Sequence, residues 1–326
     1  RWPIFAMALS YWVLNDIKLL KKFFVSMTIV LIFIIFDTWW QFLFGKDIFG
    51  IETFGSRLTG PFTSPHVGMW LAKLAMLPPL FLILYNKYKL KQQENYLTYS
   101  FFIISTILLL SVFITGERMQ LLLTIASIFI LLMGFIFAKL FSFKKVTILF
   151  LISCIAVLTF AYFFPDTTQR AFFSTIQKIL NWRSSDYGIV WQSAYDVWMQ
   201  SPIFGVGLHK YREACENLGI YGSSYLTAVG PGVCFHPHNI SLQLLSETGF
   251  VGFILFNLMV LVLAISSLKK YYINKQWLYF AIVFNIIFTC FLPIASGTSF
   301  FANKYGAIVW LLIGVMLATN KIYVKK

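Results

Sequence analysis

Charged residues are scarce in this chain. They make up 12% of its 326 residues, whereas hydrophobic residues make up 59%, and a soluble globular domain carries about twice that charged fraction. Short segments of alternating polar and apolar residues, which a membrane β-barrel would need, are also missing. Apolar runs of about 20 residues recur instead, which is the length that crosses a bilayer as a helix. The composition therefore predicts an all-α polytopic membrane protein, built as a helical bundle.

Patterns that bind metal ions are few. The chain has four cysteines and four histidines, but no Cys-x-x-Cys or Cys/His set with zinc spacing and no Asp-x-Asp. His236 and His238 form a His-x-His motif that could hold a metal, yet no pair of carboxylates stands beside it. We therefore expect no metal site and no cofactor.

The formal net charge is +14, a value also found in proteins that bind nucleic acids. Here the lysines lie in short clusters between the apolar runs, as they do in membrane proteins that use positive charge to fix their orientation. Membrane lipids are therefore expected partners and nucleic acid is not.

Eight apolar segments are long enough to cross a membrane, and residues 2–13 form a shorter one. Lysine clusters occupy every second connection between them, so we place those connections on the cytoplasmic side. Arg1 then lies outside with half a helix, and we expect further transmembrane segments to precede it. The eight segments are residues 23–44, 67–85, 99–114, 119–138, 146–164, 248–266, 277–294 and 305–319.

This topology divides the chain into three predicted parts. Residues 1–164 form an N-terminal transmembrane bundle, and residues 248–326 form C-terminal transmembrane helices. Between them, residues 165–247 are the longest polar segment, and they fall on the outer side. We expect this segment to be a periplasmic loop domain that carries the functional site.

An amphipathic helix is predicted within the outer segment, at residues 187–200. Its apolar face is expected to pack on the bundle or to lie at the lipid headgroups, where tryptophan is favoured. The Gly205-Val206-Gly207 run that follows predicts a turn, and a second reading is that it lets the backbone approach a phosphate. The apolar face consists of Trp191, Ala194, Tyr195 and Trp198.

Two of the cysteines also lie in the outer segment. Cys215 and Cys234 could pair there, which would close a loop of about 20 residues and stabilise the fold by roughly 3 kcal/mol. Cys154 and Cys290 lie inside apolar runs instead, and we expect them to be small buried residues.

His238 is the strongest candidate for acid–base chemistry. It stands just before Asn239 and Ser241, which open a predicted membrane helix, and an ordinary imidazole titrates near pH 6.5. It could therefore accept a proton at neutral pH. The alternative is that the histidine only caps the helix.

Arginines on the outer side indicate the class of substrate. Arg57, Arg118 and Arg183 all lie there, against the usual bias of positive charge toward the cytoplasm. Arg118 sits in a turn between two apolar helices, where a charge is costly and usually functional. A salt bridge with Glu117, or snorkelling to the headgroups, is the alternative. Guanidinium groups at this surface suit a diphosphate, which they bind with paired hydrogen bonds.

Four motifs in this order resemble the O-antigen ligase and O-antigen polymerase superfamily. Residues 57–62 resemble its early arginine–glycine motif, and residues 115–118 its small-residue–arginine turn. Residues 191–207 are similar to its tryptophan helix and Pro-x-x-Gly-x-Gly segment, and residues 236–239 to its His-Asn helix start. The family arginine before the tryptophan helix aligns with Tyr187, and Arg183, four residues away, could substitute for it.

The resemblance implies a membrane glycosyltransferase of the GT-C-like type in the bacterial inner membrane. Such an enzyme takes a glycan from undecaprenyl diphosphate on the periplasmic side and needs no metal. A ligase passes the glycan to lipid A-core, and a polymerase passes it to another lipid-linked repeat unit. The chain is expected to be a ligase, with polymerase as the alternative.

The expected mechanism is an inverting displacement with His238 as the base. Arg118, with Arg183 or Arg212, would stabilise the leaving diphosphate. The expected substrate-binding residues are Arg57, Arg212, Lys210, His236 and Asn239.

Two other classes remain open at this point. A transporter or flippase for lipid-linked sugars would place broken helices and charges near the membrane midplane, whereas here only Asp37 and Lys73 lie deep in apolar runs. A non-catalytic assembly protein would use the outer segment to dock a partner.

Overall fold

The computed structural model describes residues 1–55, 57–75, 94–169, 173–219, 234–295 and 297–324. Helices dominate these ranges, and they contain no β-strand beyond two isolated bridges, Lys46 with Glu52 and Phe54 with Arg57. The α-helices are Trp2–Ala8, Ile17–Phe44, Val67–Leu74, Glu94–Ile114, Arg118–Phe137, Phe143–Phe163, Pro165–Thr168, Ser174–Leu180, Asp186–Gln200, Tyr211–Asn217, Ile240–Ile273, Trp277–Phe291 and Asn303–Val324.

Six helices in the described ranges are long and apolar enough to cross a membrane. The protein is therefore a multi-pass helical membrane protein, as the composition predicts. The two remaining predicted spans differ: Trp277–Phe291 has only 15 residues, and of residues 67–85 only the first part, Val67–Leu74, forms a described helix. Residues 76–85 of that span lie outside the described residues.

The apolar side chains of several spans face outward. In Phe143–Phe163 and in Ile240–Ile273, only 6% of the most apolar window is buried. Such a surface would be unfavourable in water, whereas lipid tails accept it while the helix satisfies its own backbone hydrogen bonds.

Local sequence explains where the first long helix begins and ends. Asp16 precedes Ile17–Phe44, and its side chain accepts the backbone N–H of Lys18 at 2.6 Å, which caps a free donor of the first turn. Gly45 ends the helix with a φ of 78°, a left-handed conformation that glycine adopts at no steric cost.

The chain forms two compact units. The first unit comprises Arg1–Phe172, Ser267–Thr289 and Trp310–Lys326, and the second comprises Phe173–Ser266 and Cys290–Val309. In the first unit small residues allow close helix packing, because a Cβ at Gly134 would lie 2.4 Å from the Cβ of Ala281. One buried polar contact there joins distant helices, because the Lys73 ammonium donates to the Thr289 carbonyl at 2.7 Å.

The second unit packs around the helix Asp186–Gln200, which we call the tryptophan helix. Its Ala194 and Val197 are fully buried against Tyr211 and the disulfide that joins Cys215 to Cys234. This buried face differs from the predicted one, since Trp191, Tyr195 and Trp198 remain partly exposed. The buried positions of this helix are those of small and aliphatic residues: Gly188, Ile189, Val190, Ser193, Ala194 and Val197.

Candidate functional site

The second unit contains a cavity of about 820 Å³. This size is in the range of sites for small organic ligands. The wall comes from the tryptophan helix, from the turn before it, from the start of the helix Ile240–Ile273 and from Pro293. The residues that line it are Trp182, Arg183, Gly188, Ile189, Trp191, Gln192, Tyr195, Asn239, Ser241, Leu242 and Pro293.

Arg183 lies in the cavity wall, on a tight turn before the tryptophan helix. Ser185 caps that helix, because its hydroxyl accepts the Gly188 N–H at 3.2 Å and donates to the Trp182 carbonyl at 2.6 Å. A Cβ at Gly188 would lie 2.0 Å from that same carbonyl. The serine cap and the glycine therefore allow the turn to fold back, and this places Arg183 at the cavity.

Asn239 opens the helix Ile240–Ile273 on another side of the cavity. Its side-chain oxygen accepts the Leu242 N–H at 3.2 Å, so Asn239 and not a histidine is the cap residue here. A helix N-terminus carries partial positive charge and free N–H groups, and it therefore favours anions. The cavity has this end of the helix and one arginine in its wall.

The two predicted histidines immediately precede this cap. The ring centroids of His236 and His238 are 3.8 Å apart, and the Tyr187 ring lies 6.1 Å from that of His238 at an angle of 82°. His238 has a positive φ of 52°, which turns the chain sharply before the helix. Three polar rings are thus grouped next to a residue of the cavity wall, Asn239.

Two other predicted phosphate contacts are engaged elsewhere in the second unit. The Arg212 guanidinium donates to Glu216 at 2.8 Å and lies over the Phe235 ring. The Lys210 ammonium donates to Glu213 at 2.5 Å. Neither cation belongs to the cavity wall, so of these cations the structure brings only Arg183 to the cavity.

Gly205 packs against the backbone of residues 247–249 and does not face an open cavity. A Cβ there would lie 2.4 Å from the Glu247 carbonyl carbon. The buried Glu247 carboxylate in turn accepts the His209 backbone N–H at 2.7 Å and the Gln243 side chain at 3.0 Å. The Gly205-Val206-Gly207 run therefore fits a close contact between two segments better than a phosphate loop.

In the first unit, Arg57 is associated with Glu117. The Arg57 guanidinium donates to the Pro65 carbonyl at 2.6 Å. The buried Glu117 carboxyl accepts the Gly68 N–H at 2.7 Å, at the start of the helix Val67–Leu74. Burial raises the pKa of Glu117 to about 7, although Arg57 and the backbone N–H groups act to lower it.

Arg118 follows Glu117 directly and begins the helix Arg118–Phe137. The sequence suggested Glu117 only as a salt-bridge partner of Arg118. In the structure its buried carboxyl lies near Arg57.

Arg57 and Arg118 belong to the first unit, whereas His238 and Arg183 belong to the second. The convergence of Arg118 with His238 stays a prediction.

Several residues of the cavity wall were not predicted as site residues. Trp182 and Gln192 give no motif signal in the sequence, and Trp191 and Tyr195 were expected on a packed face. The signal that could have found the aromatic residues is their number: Trp182, Tyr187, Trp191, Tyr195 and Trp198 fall within 17 positions.

Residues 101–257 match the model of the O-antigen ligase family. The match begins in the helix Glu94–Ile114 and includes the turn with Arg118, the tryptophan helix and the start of the helix Ile240–Ile273. No curated protein matches the chain in sequence.

Proposed function

Because this chain belongs to the O-antigen ligase superfamily, we propose that it is an inner-membrane enzyme that transfers a glycan from undecaprenyl diphosphate to lipid A-core. Members of the family are glycosyltransferase-like enzymes, and the membrane helices are those expected for a lipid-linked donor. In this proposal the cavity opens to the periplasm.

The grouping of Arg183, Asn239 and the two histidines is the observation that carries the proposal. Arg183 and Asn239 line one cavity, and His236 and His238 directly precede Asn239. A fixed guanidinium and a helix N-terminus suit a diphosphate. The imidazole of His238, one position before Asn239 in the chain, suits proton transfer from a sugar hydroxyl.

The proposed reaction is a single displacement. The imidazole of His238 takes the proton of an acceptor hydroxyl, and that oxygen bonds to the anomeric carbon of the donor. The bond from this carbon to the diphosphate oxygen breaks, its electron pair stays on the leaving group, and the anomeric configuration inverts. Arg183 stabilises the growing negative charge.

The rate accelerations expected from these groups are large enough for catalysis. One well-placed donor at a developing anion contributes about 10²- to 10³-fold in rate, and a positioned base contributes about 10²- to 10⁴-fold. The guanidinium supplies the charge stabilisation that a metal ion would otherwise provide, so no step of the proposed reaction requires one.

The test is glycan transfer by the purified full-length protein, using the lipid-linked glycan and lipid A-core as substrates. His238→Asn should lower the rate by about 10²-fold or more, because asparagine tolerates the positive φ but cannot take the proton. His209→Asn is the matched control, since His209 also has a positive φ of 62° and lies outside the cavity wall. Full activity of His238→Asn would overturn the assignment.

The products separate the two reactions of the superfamily. Lipid A-core that carries the glycan supports ligation. Longer glycans that remain on undecaprenyl diphosphate would instead identify a polymerase.

A further inference from the structure

The cavity has an aromatic wall that the reaction itself does not use. Trp182 and Trp191 lie with their ring centroids 5.2 Å apart at an angle of 59°, and Tyr195 continues the wall one turn along the tryptophan helix. Two indoles at this angle form a bent surface and not a flat stack. Trp182 and Tyr195 keep 46% and 44% of their surface exposed, so apolar ring surface is available to a ligand.

Polar groups stand around the same cavity. Gln192, Asn239 and Ser241 line it together with the three aromatic residues, and their side chains offer amide and hydroxyl groups. A cavity with apolar faces and a few placed polar groups is typical of a site for a small polar molecule.

The indole nitrogen of Trp191 gives an independent indication of a ligand. This N–H is buried and has no hydrogen-bond partner among the described residues. A buried donor without a partner costs about 1 to 3 kcal/mol, and native structures rarely leave one unsatisfied. A hydroxyl group bound in the cavity could accept this hydrogen bond.

Sugars combine the two properties that this wall requires. One face of a pyranose ring presents C–H groups that pack on an aromatic ring, and its edge presents hydroxyls that both donate and accept. We propose that the wall of Trp182, Trp191 and Tyr195 is a carbohydrate subsite that holds a sugar ring of the glycan substrate. This proposal rests on the proposed function, because it names the part of the substrate that the cavity holds.

The alternative occupant of an aromatic wall is the lipid headgroup region, where tryptophan is also favoured. The concave shape and the grouped side-chain amides and hydroxyl favour the sugar, because a headgroup interface selects amphipathic rings without requiring a cavity. Brominated lipids, which quench tryptophan fluorescence on contact, can detect that alternative.

The test measures binding apart from transfer. The probe is the oligosaccharide released by mild acid from the cell's lipid-linked glycan, observed by saturation-transfer NMR with the full-length protein in nanodiscs. Trp182→Ala and Tyr195→Ala should each weaken binding about tenfold, and Trp191→Phe, which keeps a ring but loses the N–H, about three- to tenfold. Met199→Ala is the matched control: it is 43% exposed on the same helix but lies outside the cavity wall.

Transfer assays then distinguish the two glycans that could occupy the subsite. A higher KM for the donor in the aromatic variants, at unchanged kcat, places the donor glycan on the wall, and a higher KM for the acceptor places the acceptor glycan there.

Each failure has its own signature. Oligosaccharide binding with no transfer under any condition would support the subsite while removing the proposed reaction. Normal binding by all three aromatic variants would overturn the subsite and leave the reaction standing. Normal binding together with strong quenching by brominated lipids that is lost in the Trp182 and Trp191 variants would assign the wall to the membrane.

Discussion

Gly205 and Gly249 are in direct backbone contact. A Cβ added to Gly205 would lie 2.5 Å from the nitrogen of Gly249, and a Cβ added to Gly249 would lie 2.5 Å from the nitrogen of Gly205. Gly249 has a φ of 65° and interrupts the helix Ile240–Ile273. The segment around Gly205 occupies this interruption.

The hydrogen bonds at the interruption explain why the two segments meet. The N–H groups of Phe250 and Val251 donate to the carbonyls of Pro202 and Ile203, at 2.8 and 3.2 Å. In the other direction, the N–H groups of Val206 and Gly207 donate to the carbonyls of Ser246 and Glu247, at 2.9 and 3.0 Å. A break in a helix frees backbone groups that must be satisfied, and here four bonds from one short segment satisfy them.

Gly249→Ala should therefore destabilise the protein strongly. The new Cβ would lie 2.3 Å from the Ile203 carbonyl oxygen, in a backbone conformation that disfavours alanine. We expect a loss of about 3 kcal/mol or more, from strain and overpacking together, measured as a lower Tm of the detergent-purified protein. Gly219→Ala is the control, because Gly219 has a similar φ of 67° but no described atom lies within 4 Å of the Cβ it would gain. Its expected loss is about 1 kcal/mol, and equal Tm values for the two variants would contradict the clash.

The sequence predicts the spans better than the contacts between them. Apolar length and lysine spacing locate most of the membrane helices, because lipid imposes one dominant constraint on every residue of a span. The Gly205-Val206-Gly207 run alone does not predict its contact with Gly249. Gly249 is far away in the sequence, and it lies in a segment whose composition predicts a continuous apolar helix.

Arg183 should contribute more to transfer than Arg212. Both were candidates for the leaving group, but only Arg183 lines the cavity, whereas Arg212 donates to Glu216. Arg183→Ala should lower kcat/KM about 10²-fold or more, and Arg183→Lys should recover only part of the loss, because an ammonium cannot form the paired hydrogen bonds of a guanidinium. Arg212→Ala should change kcat/KM less than about threefold. The measurement is glycan transfer by the purified variants. A larger loss of kcat/KM in Arg212→Ala than in Arg183→Ala would show that Arg212, and not Arg183, stabilises the leaving diphosphate.

Glu117 should make stability depend on pH. Burial raises the pKa of its carboxyl from 4.5 to about 7 in the folded protein, so the folded state holds this proton over a range in which the unfolded state has lost it. The stabilisation is complete below about pH 4.5 and is lost as the pH rises to about 7. Glu117→Gln should remove this dependence, which amounts to at most about 3 kcal/mol.

The measurement is the Tm of the purified protein between pH 5 and pH 8. The wild-type Tm should fall with rising pH more steeply than that of Glu117→Gln. Glu52→Gln is the control, since Glu52 lies in the same unit and forms an exposed ion pair with Lys46. Parallel pH profiles of wild type and Glu117→Gln would show that the carboxyl does not titrate in this range.

The sequence identifies two residues of the cavity wall, Arg183 and Asn239, but not the aromatic residues around them. His238, Asn239 and Arg183 stand out because charged and polar residues are rare near apolar helices. The aromatic wall was not predicted, since the periodicity of Trp191 and Tyr195 suits a packed face equally well. Only the three-dimensional positions of Ile189 and Val197 show that the buried face is rotated away from Trp191 and Tyr195, with Ala194 as the one residue it shares with the predicted face.

The disulfide between Cys215 and Cys234 should stabilise the second unit and hold the histidine turn. Its bond closes a loop across 19 positions, which corresponds to about 3 kcal/mol in the chain-entropy account, and Cys234 precedes His236 by two residues. The double variant Cys215→Ser, Cys234→Ser should have a lower Tm than the wild type. Wild-type protein that has been unfolded and refolded in a reductant, so that the disulfide is broken, should have the same lowered Tm.

Transfer activity separates stabilisation from positioning. If the disulfide only stabilises the fold, the double variant should keep the wild-type kcat well below its Tm. If it also holds His238, kcat should fall at those temperatures while the KM for the donor stays the same, because the base is displaced and the cavity with Arg183 remains. Cys154→Ser is the control, since Cys154 is a free thiol in the helix Phe143–Phe163. An unchanged Tm in the double variant, with or without reductant, would show that the bond adds nothing to the fold.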